Sequence, residues 1–260
     1  MSEPGFDVAV LEAEVATRGL ALGRTVSWSA DTTSTNDDAL AAAKSGAPHG
    51  ALFGAETQSR GRGRRGSEWL SAPGAGLWFS LLLRPELRAE LAPGLALCAG
   101  LAVRSAVASR VAAPALVKWP NDVLAGGKKL AGVLVESQFT GAQVASVVVG
   151  IGINVEQEQF PEPIASLATS LRQLGAAERG RERLLADVLE AFERELSRIG
   201  THGMPAIAEA LRPHDALFGR RLRVGDVEGE GAGIDASGAL LVRRKANDVT
   251  AVVSGHVELL

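Results

Sequence analysis

Near Pro213 the sequence changes texture, and any fold for this chain must accommodate both sides of that change. Before it, helical and strand-like segments alternate. The clearest is Arg181 to Ile199, where Leu184, Leu185, Val188, Leu189, Phe192, Leu196 and Ile199 share one helical face while Glu and Arg fill the other. After it come short alternating runs: Leu222–Val224, Val227–Ile234, Ala239–Arg243, Val249–Val253 and Val257–Leu259. Gly225-Asp, Asp235-Ala-Ser-Gly and Ser254-Gly punctuate them, the pattern of a small all-β unit of SH3-like barrel size. The expectation is an α+β chain, with residues 1–212 as the larger mixed unit and 213–260 as a β appendix.

Within the larger unit, Val8–Thr17 reads as a short amphipathic helix and Thr25–Ala30 as a strand. The cluster Asp31–Asp38 predicts an N-cap for a helix over Ala39–Lys44, with Gly46 behind it. Leu52–Glu56 and Leu77–Leu83 predict strands, and Pro93–Val111 a helix too apolar for the surface. Val117–Leu124 and Lys129–Gln138 flank Ala125-Gly-Gly-Lys128 as a hairpin. Gln143–Ile153 is a Val-rich strand of the kind found at a sheet's centre.

Composition removes several classes of function. A net charge of −3 argues against broad binding to nucleic acid or an anionic membrane face, so a basic cluster here answers a small anion. The single cysteine, Cys98, lies in an apolar run and reads as inert core. The start MSEPGFDVAV lacks the basic and apolar regions of a secretory signal, and Leu91–Val103 is too short to span a bilayer. The expected compartment is the cytoplasm.

The strongest local signal is Gln58-Ser-Arg-Gly-Arg-Gly-Arg-Arg-Gly66, inside a polar loop of about twenty residues between two strands. Arg60, Arg62, Arg64 and Arg65 repel one another unless an anion sits among them. Glycines at 61, 63 and 66 let backbone approach that anion. No helix opens after Gly66, which argues against a dinucleotide-binding turn. Lys118 ends an apolar strand before Pro120, where it either holds a phosphate or pairs with Asp122 at the surface. Gly150 and Gly152 interrupt a buried strand, which suits a close ligand or a packing bulge equally.

The histidines (His49, His202, His214, His256) show no metal-type spacing, and no nucleophile-elbow, CxxC or P-loop motif occurs. A reaction needing no enzyme nucleophile is favoured, and direct attack of a substrate carboxylate on a nucleotide is one.

Taken in order, Ser34-Thr-Asn36, Gln58 with Gly61–Gly66 and Trp69, Lys118-Trp-Pro-Asn-Asp122, Lys129-Leu-Ala-Gly132 and Gly150-Ile-Gly-Ile-Asn154 resemble the ordered blocks of biotin–protein ligases. The resemblance covers roughly residues 25–260. It implies a class II synthetase-like mixed-sheet catalytic domain with an SH3-like β-barrel behind it. It further implies formation of biotinyl-AMP from biotin and ATP, and transfer of biotin to a biotin carboxyl carrier protein of acetyl-CoA carboxylase or a similar enzyme.

Residue by residue, the resemblance places Ser34, Thr35, Asn36 and Gln58 on the ureido head of biotin. Gly150 and Gly152 join them in the biotin pocket. Arg62, Gly63 and Arg64 would wrap the biotin carboxylate and the α-phosphate, with Lys118 between those groups; Lys118 and Arg64 are the catalytic pair. Arg65, Trp69, Asn121, Asp122 and Lys129 would line the ATP side, and Asn154 would reach the adenine. Mg²⁺ would come with ATP, without a fixed protein site but near Asp122. The family usually carries a basic residue where Ser67-Glu68 stands. Only residues 1–33 precede Ser34, fewer than a winged-helix module needs, so the expectation is a ligase without a DNA-binding repressor part.

Three other readings stay in view. One is a lipoate or octanoate ligase on the same fold, another a nucleic-acid module built on the Arg-Gly loop, and the third a non-catalytic binder. A monomer and a homodimer are both compatible with the sequence.

Overall fold

The computed structural model describes residues 5–84, 94–140, 143–162, 164–245 and 248–260. Pro93, where the apolar helix was expected to start, lies outside them. A seven-stranded mixed sheet runs in the order β1-β2-β3-β7-β6-β5-β4. Its strands are β1 (Val26–Thr32), β2 (Leu52–Gln58), β3 (Gly76–Leu83), β4 (Ala115–Lys118), β5 (Asp122–Ala125), β6 (Lys128–Thr140) and β7 (Gln143–Asn154). Only β1 and β2 pair in parallel.

Alternation along the central strands assigns the two faces. Leu77, Phe79, Leu81 and Leu83 of β3, with Val147, Val149, Ile151 and Ile153 of β7, enter the main core. Helices α1 (Val8–Arg18), α3 (Gly94–Ala108) and α4 (Arg181–Leu211) cover that face. α3 is buried nearly throughout, as its apolar sequence with Arg104 as its single charge predicts, and Cys98 is fully buried within it. The opposite face carries α2 (Thr35–Lys44) over Leu82 and Val148, and leaves the rest for a cavity. No helix among the described residues is long and apolar enough to cross a membrane.

Three expectations need correction. α2 begins at Thr35, inside the polar cluster, because Ser34 is already its N-cap. The stretch Val117–Leu124 is two strands: the chain reverses at the cis Trp119–Pro120 bond, and Lys118 pairs with Asp122 across the turn. α4 continues past Ile199 to Leu211 but is broken at Gly203 (φ 70°), two residues before Pro205, whose missing N–H is tolerated at a new helical start.

The remaining strands β8 (Arg221–Val224), β9 (Val227–Ile234), β10 (Leu240–Lys245), β11 (Asp248–Val252) and β12 (Val257–Leu259) match the five alternating runs. They form an antiparallel sheet in the order β11-β10-β9-β8-β12, of SH3-like size, with β11 and β12 as edges rather than a closed barrel. Its inward residues Leu222, Val224, Leu240, Val242 and Val257 continue the main core without a break.

Candidate active site

Three strands make the floor. Ser80 of β3 pairs with Gly150 of β7, which pairs with Leu134 of β6. The next row is Trp78, Gly152 and Gly132. The β3–β7 register runs unbroken from Gly76 to Leu83, so Gly150 and Gly152 are not a bulge. They are flat places where side chains lie on backbone: a Cβ at Gly150 would overlap the Asn36 amide, and one at Gly152 would lie 2.5 Å from the Trp69 indole.

At one end, uncharged polar groups converge from α2, β2 and β3. Ser34, Thr35, Asn36 and Ser80 are all buried. Gln58 Oε1 accepts from the Thr35 backbone N–H at 2.9 Å, and its Nε2 donates to Ser71 Oγ at 2.8 Å, which fixes the amide. Ser80 Oγ donates to Asn36 Oδ1 at 2.6 Å and lies 2.8 Å from Thr35 Oγ1.

The arginine loop closes one side, and its glycines serve its own folding. The Trp69 N–H donates to Gly61 O at 2.9 Å, and the Gly63 N–H to Ser67 O at 2.7 Å, so the segment doubles back on itself. A Cβ at Gly63 would lie 2.5 Å from Ser67 Oγ, and one at Gly61 would strike Trp69 O. These contacts require glycine at 61 and 63 whether or not an anion is bound. Arg65 takes φ 57° at the tip and is exposed.

The arginines divide by partner. Arg62 is fork-bonded to Asp37 (2.7 and 2.8 Å) and reaches Glu136 at 3.1 Å. The bond to Asp37 above all holds its guanidinium pKa above the ordinary value. Arg62 thus lines the cavity while paired to two carboxylates of the protein. Arg64 is half-buried and, among the described residues, makes a single 3.5 Å hydrogen bond, to Asn121 Oδ1. Burial, then Arg65, push its pKa down, with Asp122 opposing.

Lys118 is no surface residue. It is half-buried and its Nζ donates to Val257 O at 2.9 Å. Burial lowers its pKa, Lys129 adds to that and Asp122 opposes it. The Asp122 carboxylate faces Lys129 Nζ at 2.7 Å, and that ammonium lies 5.3 Å above the Trp69 ring. Two cations, Lys118 and Arg64, therefore stand where their charged forms are disfavoured until an anion arrives.

Between the two ends is a cavity of about 550 Å³. Its lining includes every residue to which the resemblance gave a biotin or ATP role except Asn154. Asn154 is 5% exposed; its Nδ2 donates to Thr169 O and its Oδ1 accepts from Gln157. Each end of that amide has one partner in the protein, and Asn154 stands outside the cavity lining. The sequence reading missed Ser80, the one polar residue inside the apolar strand Gly76–Leu83, which was its signal. It also missed Gly255, His256 and Val257, which close the cavity from the second sheet and carry no signal in the sequence.

Uncharged hydrogen-bonding groups at one end and under-compensated cations at the other define a protein that binds an acid with a polar head and brings a second anion to its carboxylate. Comparison with known proteins agrees. Residues 28–154 match the biotin/lipoate A/B protein ligase family. The chain is 39% identical over 223 residues to the biotin–[acetyl-CoA-carboxylase] ligase of Mycobacterium tuberculosis, covering 81% of this chain and 80% of that one. It is 38% identical over 226 residues to the Paracoccus denitrificans ligase of the same name, covering 84% and 93%. The biotin protein ligase of Aquifex aeolicus, in complex with biotin and ATP, superposes with a TM-score of 0.78 at 29% identity, over 91% of this chain and 99% of that chain. The chain belongs to the biotin–protein ligases of this family.

Proposed function

We propose that the chain activates biotin with ATP and transfers it to a lysine of a biotin carboxyl carrier protein. The biotin carboxylate oxygen attacks the α-phosphorus, the bond to pyrophosphate breaks, and biotinyl-AMP forms. The lysine amine then attacks the acyl carbon and AMP leaves. The observation that carries this reading is the pairing in one cavity of a fixed uncharged polar end with two cations, Lys118 and Arg64, that form no ion pair among the described residues.

Ser34, Thr35, Asn36 and Gln58 suit a ureido group, which offers both donors and an acceptor; a lipoyl head offers neither. Lys118 and Arg64 would offset the repulsion between carboxylate and α-phosphate and the charge that grows on the equatorial oxygens. Trp69, Arg65, Asn121, Asp122 and Lys129 fall to the nucleotide side. Among the described residues no group of three or more His, Cys, Asp or Glu side chains could hold a metal, and Asp122 faces Lys129. We assign Mg²⁺ to the substrate, travelling with the phosphates of ATP on the Asp122 side of the cavity.

We assign residues 1–212 to activation and 213–260 to a β unit that walls the cavity through Gly255–Val257. The test is incubation with the acceptor domain of a biotin carboxyl carrier protein, biotin and Mg-ATP. Mass spectrometry should find one biotinylated lysine, dependent on ATP. An unmodified acceptor at high enzyme concentration would exclude the reading.

A further inference from the structure

Glu136 is an acid bonded to two lining residues, Asn36 and Arg62, of a cavity whose proposed substrates are both anions. It sits on β6 opposite Val148, one row beyond Leu134 and Gly150. Its Oε2 accepts from Asn36 Nδ2 at 2.6 Å and from Arg62 at 3.1 Å. Asn36 is 4% exposed, and its Oδ1 accepts from Ser80 at 2.6 Å.

A side-chain amide has two orientations of equal shape and opposite hydrogen bonding. Ser80 does not choose between them, because a hydroxyl donates or accepts. A carboxylate only accepts. It therefore turns Nδ2 toward itself and Oδ1 toward Ser80, and this fixes which N–H and which lone pair remain for a ligand. The reversed amide would set its oxygen against a carboxylate and offer the ligand the opposite pattern. The same carboxylate oxygen holds Arg62, the anchor of the arginine loop.

We infer that Glu136 is a positioning residue for recognition of the substrate's polar head: it sets the Asn36 amide and ties that setting to the docking of the arginine loop through Arg62. The inference rests on reading the uncharged end of the cavity as the ureido pocket. Its companion Asp37 pairs with Arg62 but, among the described residues, makes no hydrogen bond to the Asn36 side chain, which separates the two functions experimentally.

The experiment is calorimetric titration of biotin into wild type, Glu136→Gln and Asp37→Asn, with pyrophosphate exchange measured at saturating biotin. Glutamine keeps the shape but can turn its own NH₂ toward Asn36 and accommodate the reversed amide. For Glu136→Gln the biotin Kd should rise about tenfold, the size of one lost hydrogen-bond preference. Exchange at saturating biotin should stay within about threefold of wild type. Asp37→Asn should move the Kd less. An unchanged Kd for Glu136→Gln, or equal losses in both variants, would overturn the role assigned to the Asn36 amide. A wild type that binds no biotin would overturn the ureido-pocket reading and this inference with it.

Discussion

The Lys118 ammonium, at the end of β4, donates to the backbone carbonyl of Val257 at 2.9 Å, so the small sheet reaches the cationic end of the cavity. The neighbouring Trp119 indole makes a second tie, to Gly238 O at 2.9 Å. The last residue of β4 and the turn residue after it are thus held by the start of β12 and by the bend before β10. The carbonyl takes one of three ammonium protons and leaves the others for anions. A charge that must lie between a carboxylate and a phosphate is oriented before either arrives.

Lys118→Ala should therefore lower the rate of biotinyl-AMP formation about 10²–10³-fold, the loss typical of one charge-stabilising donor. Single-turnover adenylate formation checks it; a near-normal rate would remove Lys118 from the chemistry.

The same residue sets an expectation for pH. Burial first, and Lys129 second, lower the Lys118 pKa from 10.5. The charged form is the active one, so activity is lost as pH rises through that lowered value. The alkaline limb of kcat/KM, which reports the free enzyme, should fall below the ordinary lysine range. Lys118→Arg, whose group stays protonated, should lack that limb whatever its absolute rate. An identical limb in both proteins would assign it to another group.

Gly150→Ala tests the floor. A methyl group there meets the Asn36 amide, held between Ser80 and Glu136. Overpacking of this kind costs about 1–3 kcal/mol, so biotin binding should weaken by about tenfold or more while ATP binding is largely retained. Calorimetry with each ligand separates the two.

Stability has its own ionic tie, between residues outside the cavity lining. Glu56 of β2 accepts from Arg181 at the start of α4 at 2.7 Å, from the Phe6 N–H at 2.6 Å and from Trp28 Nε1 at 3.3 Å. Burial pushes the Glu56 pKa up, but its bonds to Arg181, Phe6 and Trp28 outweigh that and leave it lowered. Its folded pKa lies below its unfolded one. The stability it contributes is present above the unfolded carboxylate pKa and lost as pH falls through the folded one. Glu56→Ala should cost about 3 kcal/mol at neutral pH, and the deficit should shrink in acid. Denaturant unfolding at pH 7 and pH 4 measures both.

Much of this architecture is legible in the chain because local pattern and tertiary burial agree. The five short runs after Pro213 became five strands, and the stripe from Leu184 to Ile199 became a buried helical face. Legibility fails where a distant partner decides. Arg62 and Arg64 are two positions apart, yet only the fold shows that Asp37 and Glu136 claim the first. Asn154 resembles a ligand residue in sequence but is held by Thr169 and Gln157. The contact between Lys118 and Val257 spans more than half the chain and involves a carbonyl, which no residue type announces.

The central claim is that this cavity joins a biotin carboxylate to the α-phosphate of ATP, and biotin-dependent exchange of labelled pyrophosphate into ATP tests it most directly. With purified protein and Mg²⁺, label should enter ATP when biotin is present, and neither lipoate nor omission of the acid should support it. Exchange that ignores biotin, or its absence with every acid, would contradict the account.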